Sequence, residues 1–334
     1  MLDERKKKIL QAIVEQYINS AEPISSNAIL NRYGLECSSA TIRNEMSELE
    51  KNGFLDKTHT SSGRIPSAKG YRYYVDELVK DDNISLEEIK YISDKLETKI
   101  NEIEDLTKIT ANTISEITHY TTVSIGPKTN TQLIEEIKFI LLGRRMVMAV
   151  ILTDSGLVKE TIIKFDEDIS EKQVQNMNYI FNNKLKNQPI ETIDRPLEEY
   201  LYDEMTYSIH VIKPIVEQIK KVLSDEKIYL EGTNKSFDLP EFNSLEVAKN
   251  FVNVLDTKEL MTDMLNSGFA EDINVYIGEE NKQEELKDFS VVTFKHKVNG
   301  KDVGTIGIIG PKRMDYSKVI SVMKYINKKM KDFE

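Results

Sequence analysis

A single cysteine, Cys37, in 334 residues excludes an intramolecular disulfide framework and a zinc site built from several thiolates, and it suits a reducing cytosol. The histidines His59, His119, His210 and His296 are too scattered to form a metal-ligand spacing with one another or with Cys37. No segment approaches the roughly 18 consecutive apolar residues of a membrane span. The opening MLDERKKKILQAIVEQY is charged where a signal or transit peptide would need an unbroken apolar core. A cytoplasmic chain without membrane contact is expected. Carboxylates are abundant but fall on charged helical faces such as EEIKYISDKLE, which read as solvated surface rather than acid–base pairs. In GTIGIIG the glycines Gly304, Gly307 and Gly310 recur every third residue within a β-rich run. The Lys-Ser/Thr and the helix start that a phosphate loop requires do not follow. The sequence therefore predicts no catalytic residue, no metal and no cofactor.

At 38.4 kDa and 40% apolar residues the chain can supply two or three separate cores. Its net charge of −11 repels nucleic acid on average. The average hides a split: residues 1–80 hold 12 Lys/Arg against 11 Asp/Glu, and residues 81–334 hold 33 against 45. Between Lys57 and Tyr74 lie Lys57, Arg64, Lys69 and Arg72, with no acidic residue until Asp76. That local run reads as an electrostatic footprint for phosphates.

Ile9, Leu10, Ile13, Val14, Tyr17 and Ile18 recur at helical spacing, predicting a helix over residues 4–19. Pro23 ends it. Ser25 or Ser26 can cap a short second helix that Gly34 closes, and Cys37 reads as a small turn residue. Ser38 or Ser39 can then cap a third helix, in which Ile42, Met46 and Leu49 share one line while Ala40, Arg43, Asn44 and Ser47 lie largely opposite. With Ser38, Ser39 and Thr41 at its start, that face offers small groups for close approach. Arg43 and Asn44 carry the hydrogen-bonding groups that suit guanine and adenine edges. Gly53 closes the helix. FLDKT and GRIPS flank HTSSG and predict a hairpin whose tip carries His59, Ser61 and Ser62. Three helices and a hairpin in this order form the winged helix-turn-helix that enters a major groove. His59 and Arg64 then face phosphates or the neighbouring minor groove. Tyr71, Tyr73 and Tyr74 are expected to pack the next helix onto the hairpin. A helix with Arg and Asn outward is, taken alone, more often plain solvated surface; its neighbours decide the reading.

SSATIRNEMSELEKNGFL followed by THTSSGRIPSAKGYRYYVDEL resembles the signature of the heat-inducible transcription repressor family, HrcA. The later segments IYLEGTNKSFDLPEF and GTIGIIGPKRMDYSKVISVMKYI also resemble it, so the likeness spans the chain. The resemblance implies a homodimer on the inverted-repeat operator of heat-shock operons, double-stranded DNA as partner, and a GroEL-type chaperonin that maintains active repressor. It also implies a GAF-like sensor fold interrupted by an insertion that makes the dimer contact.

Residues 85–118 carry Ile89, Ile92, Leu96, Ile100, Ile103, Leu106 and Ile109 near a helical repeat and predict one long helix packed on a domain. TTVSIGP reads as a strand. IEEIKFILL, MVMAVILT and LVKETIIKF predict a three-stranded meander turned at DSG. Helices are expected around residues 174–185 and from about 197 to 223, with a kink or break near Pro214. KIYLEG, INVYIG, FSVVTFKHKV and DVGTIGIIG predict a second antiparallel sheet, with Asn299-Gly300 as a hairpin turn and a closing helix from Tyr316. TTVSIGP otherwise lacks a partner, so an insertion is inferred. The expected architecture is α+β and multidomain: a winged helix-turn-helix at 1–78, a GAF-like α/β domain in two segments, 79–128 and 226–334, and an inserted α+β dimerisation domain at 129–225. Two other functions fit the same elements. One is a regulator controlled by a small effector bound between Tyr276 and the strands near Val291. The other is an interaction protein whose winged helix binds another protein.

Overall fold

A computed structural model describes residues 2–33, 38–57, 63–79, 83–96, 103–126, 132–154, 156, 158–189, 209–224, 227–266, 273–298 and 301–331. Helix α1 (Glu4–Ser20) starts at Asp3, whose carboxylate accepts from the Lys6 amide, and ends on Ala21 in the left-handed region. Helices α2 (Ser26–Tyr33) and α3 (Ser39–Lys51) follow, then the short antiparallel strands β1 (Leu55–Lys57) and β2 (Arg64–Pro66). Ile24 pairs with Arg64 through two backbone bonds of 2.9 Å, so the segment before α2 extends this hairpin sideways. Helix α4 (Ala68–Glu77) is capped by Ser67. The core of this region contains Ile9, Leu10, Ile13 and Val14 of α1, Ile29 of α2, Ile42, Met46 and Leu49 of α3, and Leu55. Each such side chain, fully buried, contributes about 1.5–3 kcal/mol.

Helices α5 (Leu86–Leu96) and α6 (Ile103–Thr118) are two elements where the hydrophobic repeat predicted one, and they pack against each other. A single helix over 85–118 would run about 50 Å at 1.5 Å per residue. Two shorter helices instead lay Ile92, Leu96, Leu106 and Ile114 on one shared core. Strand β3 (Thr121–Ile125) comes next.

Strands β4 (Ile134–Gly143), β5 (Met146–Thr153) and β6 (Val158–Lys164) form the meander, in that spatial order. Helices α7 (Glu171–Leu185) and α8 (Ile209–Ser224) cover one face, and helicity continues through Pro214. The part of the second expected helix before residue 209 lies outside the described residues. Ile137, Phe139, Ala149, Ile151, Ile163, Phe181 and Ile219 share a core separate from the rest of the chain. An uncovered edge strand invites pairing with another chain. The β4 edge is closed by α7: Asn178 accepts from the Phe139 amide at 2.7 Å and donates to its carbonyl at 3.0 Å. Asn182 does the same for Ile137, at 2.8 and 2.5 Å. Two carboxamides one helical turn apart thus stand in for a neighbouring strand.

A second sheet has the order β7-β3-β10-β9-β8 and is antiparallel throughout, with β7 at Ile228–Glu231, β8 at Asn274–Ile277, β9 at Phe289–Val298 and β10 at Lys301–Pro311. Strand β3 joins this sheet from before the meander, while the other four come after it. One face meets α6 and the last helix; the other carries a core of Phe242, Phe251, Phe289, Met264 and Val291. The helical turn α9 (Thr233–Ser236), α10 (Leu245–Asp256), α11 (Lys258–Asn266) and α12 (Tyr316–Lys331) complete the chain. Alternating helix and sheet segments make the chain α+β. No helix among the described residues is long and apolar enough to cross a membrane.

Candidate nucleic-acid interface

Ser38 sets the start of α3. Its hydroxyl accepts from the Thr41 amide at 3.1 Å and lies 3.0 Å from the Thr41 hydroxyl. Ser39 donates to Asn27 and sits 3.1 Å from the Ser26 hydroxyl, tying α3 to α2. The first residues of the expected reading face therefore hold the helix pair in place. Ile42, Met46 and Leu49 are buried, which turns Ala40, Arg43 and Asn44 outward to solvent with Ser47 half-buried beside them. Among the described residues, the side chains of Arg43, Asn44 and Ser47 have no hydrogen-bond or ion-pair partner. The helix ends as Gly53, at φ +78°, donates to the Glu50 carbonyl and Phe54 donates to that of Leu49. A side chain at position 53 would strain that turn.

Three carboxylates of α3 could oppose a phosphate backbone, and each meets a cation. Glu45 lies 3.0 Å from Lys6 and 3.5 Å from Arg5 of α1, Glu48 lies 3.1 Å from Lys6, and Glu50 takes the Arg64 guanidinium at 2.6 Å. Hydrogen bonds from Lys6 to Asp3, Glu45 and Glu48 push the Lys6 ammonium well above the usual lysine range. The ERKKK run of α1 reads in sequence as a solvated face. Nothing in that reading discloses that two of its cations neutralise the third helix, because the helices meet about 40 residues apart in sequence.

The four cations expected to form one free run part company in space. Lys57 is exposed and unpaired among the described residues. Lys69 donates to the Asn52 carbonyl at 2.9 Å and lies over the Phe54 ring, 4.6 Å from its centre, so it closes the C-terminal end of α3. Arg64 fixes the base of the hairpin to Glu50. Arg72, expected to meet phosphate, has its guanidinium held by Glu280, by the Val275 carbonyl and by Asp76 at 3.1 Å. The stretch is free of acid in sequence only, since Glu50 and Glu280 approach from elsewhere. His59, Ser61 and Ser62 lie outside the described residues, as do Gly34 and Cys37. Tyr73 meets Phe54 edge-on at 5.5 Å, as a packing residue should. Tyr71 faces Tyr316 of α12 at 5.7 Å, so it joins α4 to the second sheet's helix rather than to the hairpin. Among the described residues no three His, Cys, Asp or Glu side chains form a group that could hold a metal ion.

Residues 104–320 match the family model described as the HrcA protein C terminal domain. The chain is 37% identical to the heat-inducible transcription repressor HrcA of Ruminiclostridium cellulolyticum, an alignment covering 99% of this chain and 97% of that protein. It is 40% identical to the repressor of the same name from a Thermoanaerobacter species, strain X514, over 98% and 96% of the two chains. The chain belongs to the HrcA family of heat-inducible transcription repressors. Transcription regulation, repression and the heat-shock response are the functions that the HrcA name carries. A crystal structure of a hypothetical protein superposes with a TM-score of 0.70 at 24% identity, covering 100% of this chain and 98% of the other, and so shares this chain's fold.

Proposed function

We propose that the chain is a sequence-specific repressor that binds, as a homodimer, the inverted-repeat operator of chaperone operons in the cytoplasm. The observation that carries this reading is the outer face of α3. Arg43 and Asn44 stand unpartnered there, while each of the helix's own carboxylates at 45, 48 and 50 is neutralised by a cation from another element. A solvated surface helix has no need of that arrangement; a helix that lies against phosphates does. Three helices with an adjoining hairpin support the winged helix-turn-helix assignment for residues 1–78, with α3 in the major groove. Ala40 allows close approach, Arg43, Asn44 and Ser47 read base edges, and Lys57 meets phosphate with the hairpin tip at His59, Ser61 and Ser62. Ser38, Ser39, Thr41, Arg64 and Lys69 position the reader. Arg72 drops out of the contact set.

The second sheet, built from both sides of the meander, supports a GAF-like domain in two segments, 79–128 and 226–334, around an insert at 129–225. On the outer face of the meander, Ile140, Leu142, Met146, Val158 and Ile162 are exposed. Lys138 and Glu160 lie on the same face, in register with Val150 between them. An apolar patch edged by opposite charges complements itself under two-fold rotation, which suits a second copy of this chain. Two-fold symmetry in turn demands a palindromic operator. A GroEL-type chaperonin is the partner that restores DNA-binding form after heat.

A gel shift on a symmetric chaperone-promoter repeat tests the reading, alongside the same repeat with one arm scrambled and a random duplex. Selective loss on scrambling one arm supports it; indifference to base order overturns it. Purified chaperonin should raise operator occupancy of heat-treated repressor, and unchanged occupancy removes the chaperonin from the scheme.

A further inference from the structure

Strand β8 ends the second sheet, with β9 on its inner side. In an antiparallel pair alternate residues turn their backbone groups to the neighbour, so those of every second residue point outward. On β8 the outward residues are Val275 and Ile277, and side chains engage both. Arg72 of α4 donates to the Val275 carbonyl. Glu280, in the turn Gly278–Glu280, accepts from the Ile277 amide at 2.8 Å. Arg72 and Glu280 also pair with each other. A salt bridge between the N-terminal region and the sheet domain thus stands where a further strand would lie.

The β4 edge is closed by a helix of its own unit, whereas part of the β8 cover comes from another region. Arg72 belongs to α4, which packs on α1 and on the hairpin strand β2. Beside α4 the two parts do not close on each other. A cleft of about 370 Å³ opens between Tyr17, Ser67 and Tyr71 on one side and Gly278, Glu279 and Lys312 on the other. Arg72 and Glu280 are both partly exposed, so water and salt reach the pair and weaken it. Beneath it lies INVYIG, residues 273–278, rich in strand formers and free of charge and proline. Edge strands are normally blunted by a charge or a proline within the strand itself. In β8 the blunting is left to the cover.

We propose that α4 is a removable cover, and that the β8 edge, once uncovered, pairs antiparallel with the β8 edge of a second copy of this chain. The strand suits its own copy. A two-fold axis at Tyr276 sets Val275 of each copy opposite Ile277 of the other, so that outward N–H groups meet outward carbonyls. No like charges stand opposed between Asn274 and Gly278. A seated α4 and a paired β8 exclude one another, because both need the Val275 carbonyl. Loosening of the N-terminal region therefore becomes self-association through a strand outside the meander. The inference stands without the operator reading and without the meander as a dimer contact.

The test is sedimentation velocity on the full chain, free of DNA, over a concentration series at fixed salt. Arg72→Ala should self-associate at least about tenfold more tightly than the wild type, one step above whatever state the wild type holds. Glu280→Ala, which frees the Ile277 amide, should do the same. Lys318→Ala breaks an ion pair of comparable exposure between α12 and α5 and should leave association unchanged. Val275→Pro removes an N–H that faces away from β9, so Arg72→Ala with Val275→Pro should return to the wild-type state. Position 276 reports the pairing directly. In a Cys37→Ser, Arg72→Ala chain, Tyr276→Cys should give an intermolecular disulfide under mild oxidation, since facing Cα atoms about 4.5 Å apart permit one. Arg72→Ala that sediments like the wild type would overturn the proposal. So would association that survives Val275→Pro, or an associated sample without the crosslink at position 276, since either places the contact elsewhere.

Discussion

Arg72 Nε donates to Glu280 Oε1 at 2.9 Å, joining two residues 208 positions apart and seating α4 on the second sheet. Both side chains are roughly one-third exposed, at 29% and 36%, so the pair contributes about 1 kcal/mol at most. Arg72→Ala should lower stability by that amount in a denaturant titration and leave the slope of log affinity against log salt unchanged. Lys57→Ala should instead flatten the slope by about 1. A flattened slope for Arg72→Ala would return that residue to the phosphate contacts.

On the proposed reading, Lys6 influences DNA binding without touching DNA. Its ammonium covers Glu45 and Glu48 on α3. Lys6→Ala leaves both carboxylates uncovered beside the proposed reading face, where they would repel phosphates. Affinity for operator and random DNA should fall together, and the triple variant Lys6→Ala, Glu45→Gln, Glu48→Gln should recover it. A triple variant as weak as the single one would make Lys6 a direct contact.

Asn178 and Asn182 close the β4 edge. Asn182→Leu leaves the Ile137 amide and carbonyl without partners and should destabilise by about 1–3 kcal/mol. The loss appears in chemical denaturation, and hydrogen exchange at the Ile137 amide should accelerate. Protection that stays at the wild-type level would show that the side-chain cap is dispensable.

Alkaline pH should loosen the junction between the N-terminal helices and the sheet domain. Burial pushes the Tyr120 phenol up to about 12, against the Asp315 amide that donates to it. Burial also raises Tyr71 and Tyr316 well above the tyrosine reference of 10.0. In the unfolded chain these phenols ionise near their reference value, whereas the folded protein keeps them neutral. Their stabilising effect is complete below about pH 10 and is lost as pH rises through the folded values. Melting temperature should therefore decline from about pH 10 upward, and Tyr71→Phe should decline less steeply. A flat profile to pH 12 would contradict the burial of these groups.

Much of this was legible from local pattern. The buried line of Ile42, Met46 and Leu49 follows from helical spacing, and the meander follows from alternation and its turn signals. The break between α5 and α6 was not, because a periodic stripe reports which face is buried and not whether the chain doubles back. The partners of Arg64 and Arg72 could not be read either. Their carboxylates arrive from another helix and from a distant turn, and linear charge counting is blind to both. Asn178 and Asn182 look like ordinary polar helix positions; only the strand edge beside them gives their spacing a meaning. Within the candidate site, the sequence marked Arg43 and Asn44 by their outward phase. The cations that shield their helix lay in a run indistinguishable from solvated surface.

The proposed operator recognition turns on the unpartnered Arg43 of α3. Fluorescence anisotropy at fixed salt should compare wild type and Arg43→Ala on the inverted repeat and on a random duplex of equal length. Operator binding should weaken by about 1–3 kcal/mol with tolerance gained at one base position, random binding should change little, and the melting temperature should stay the same. Equal loss on both duplexes would contradict base reading by this helix.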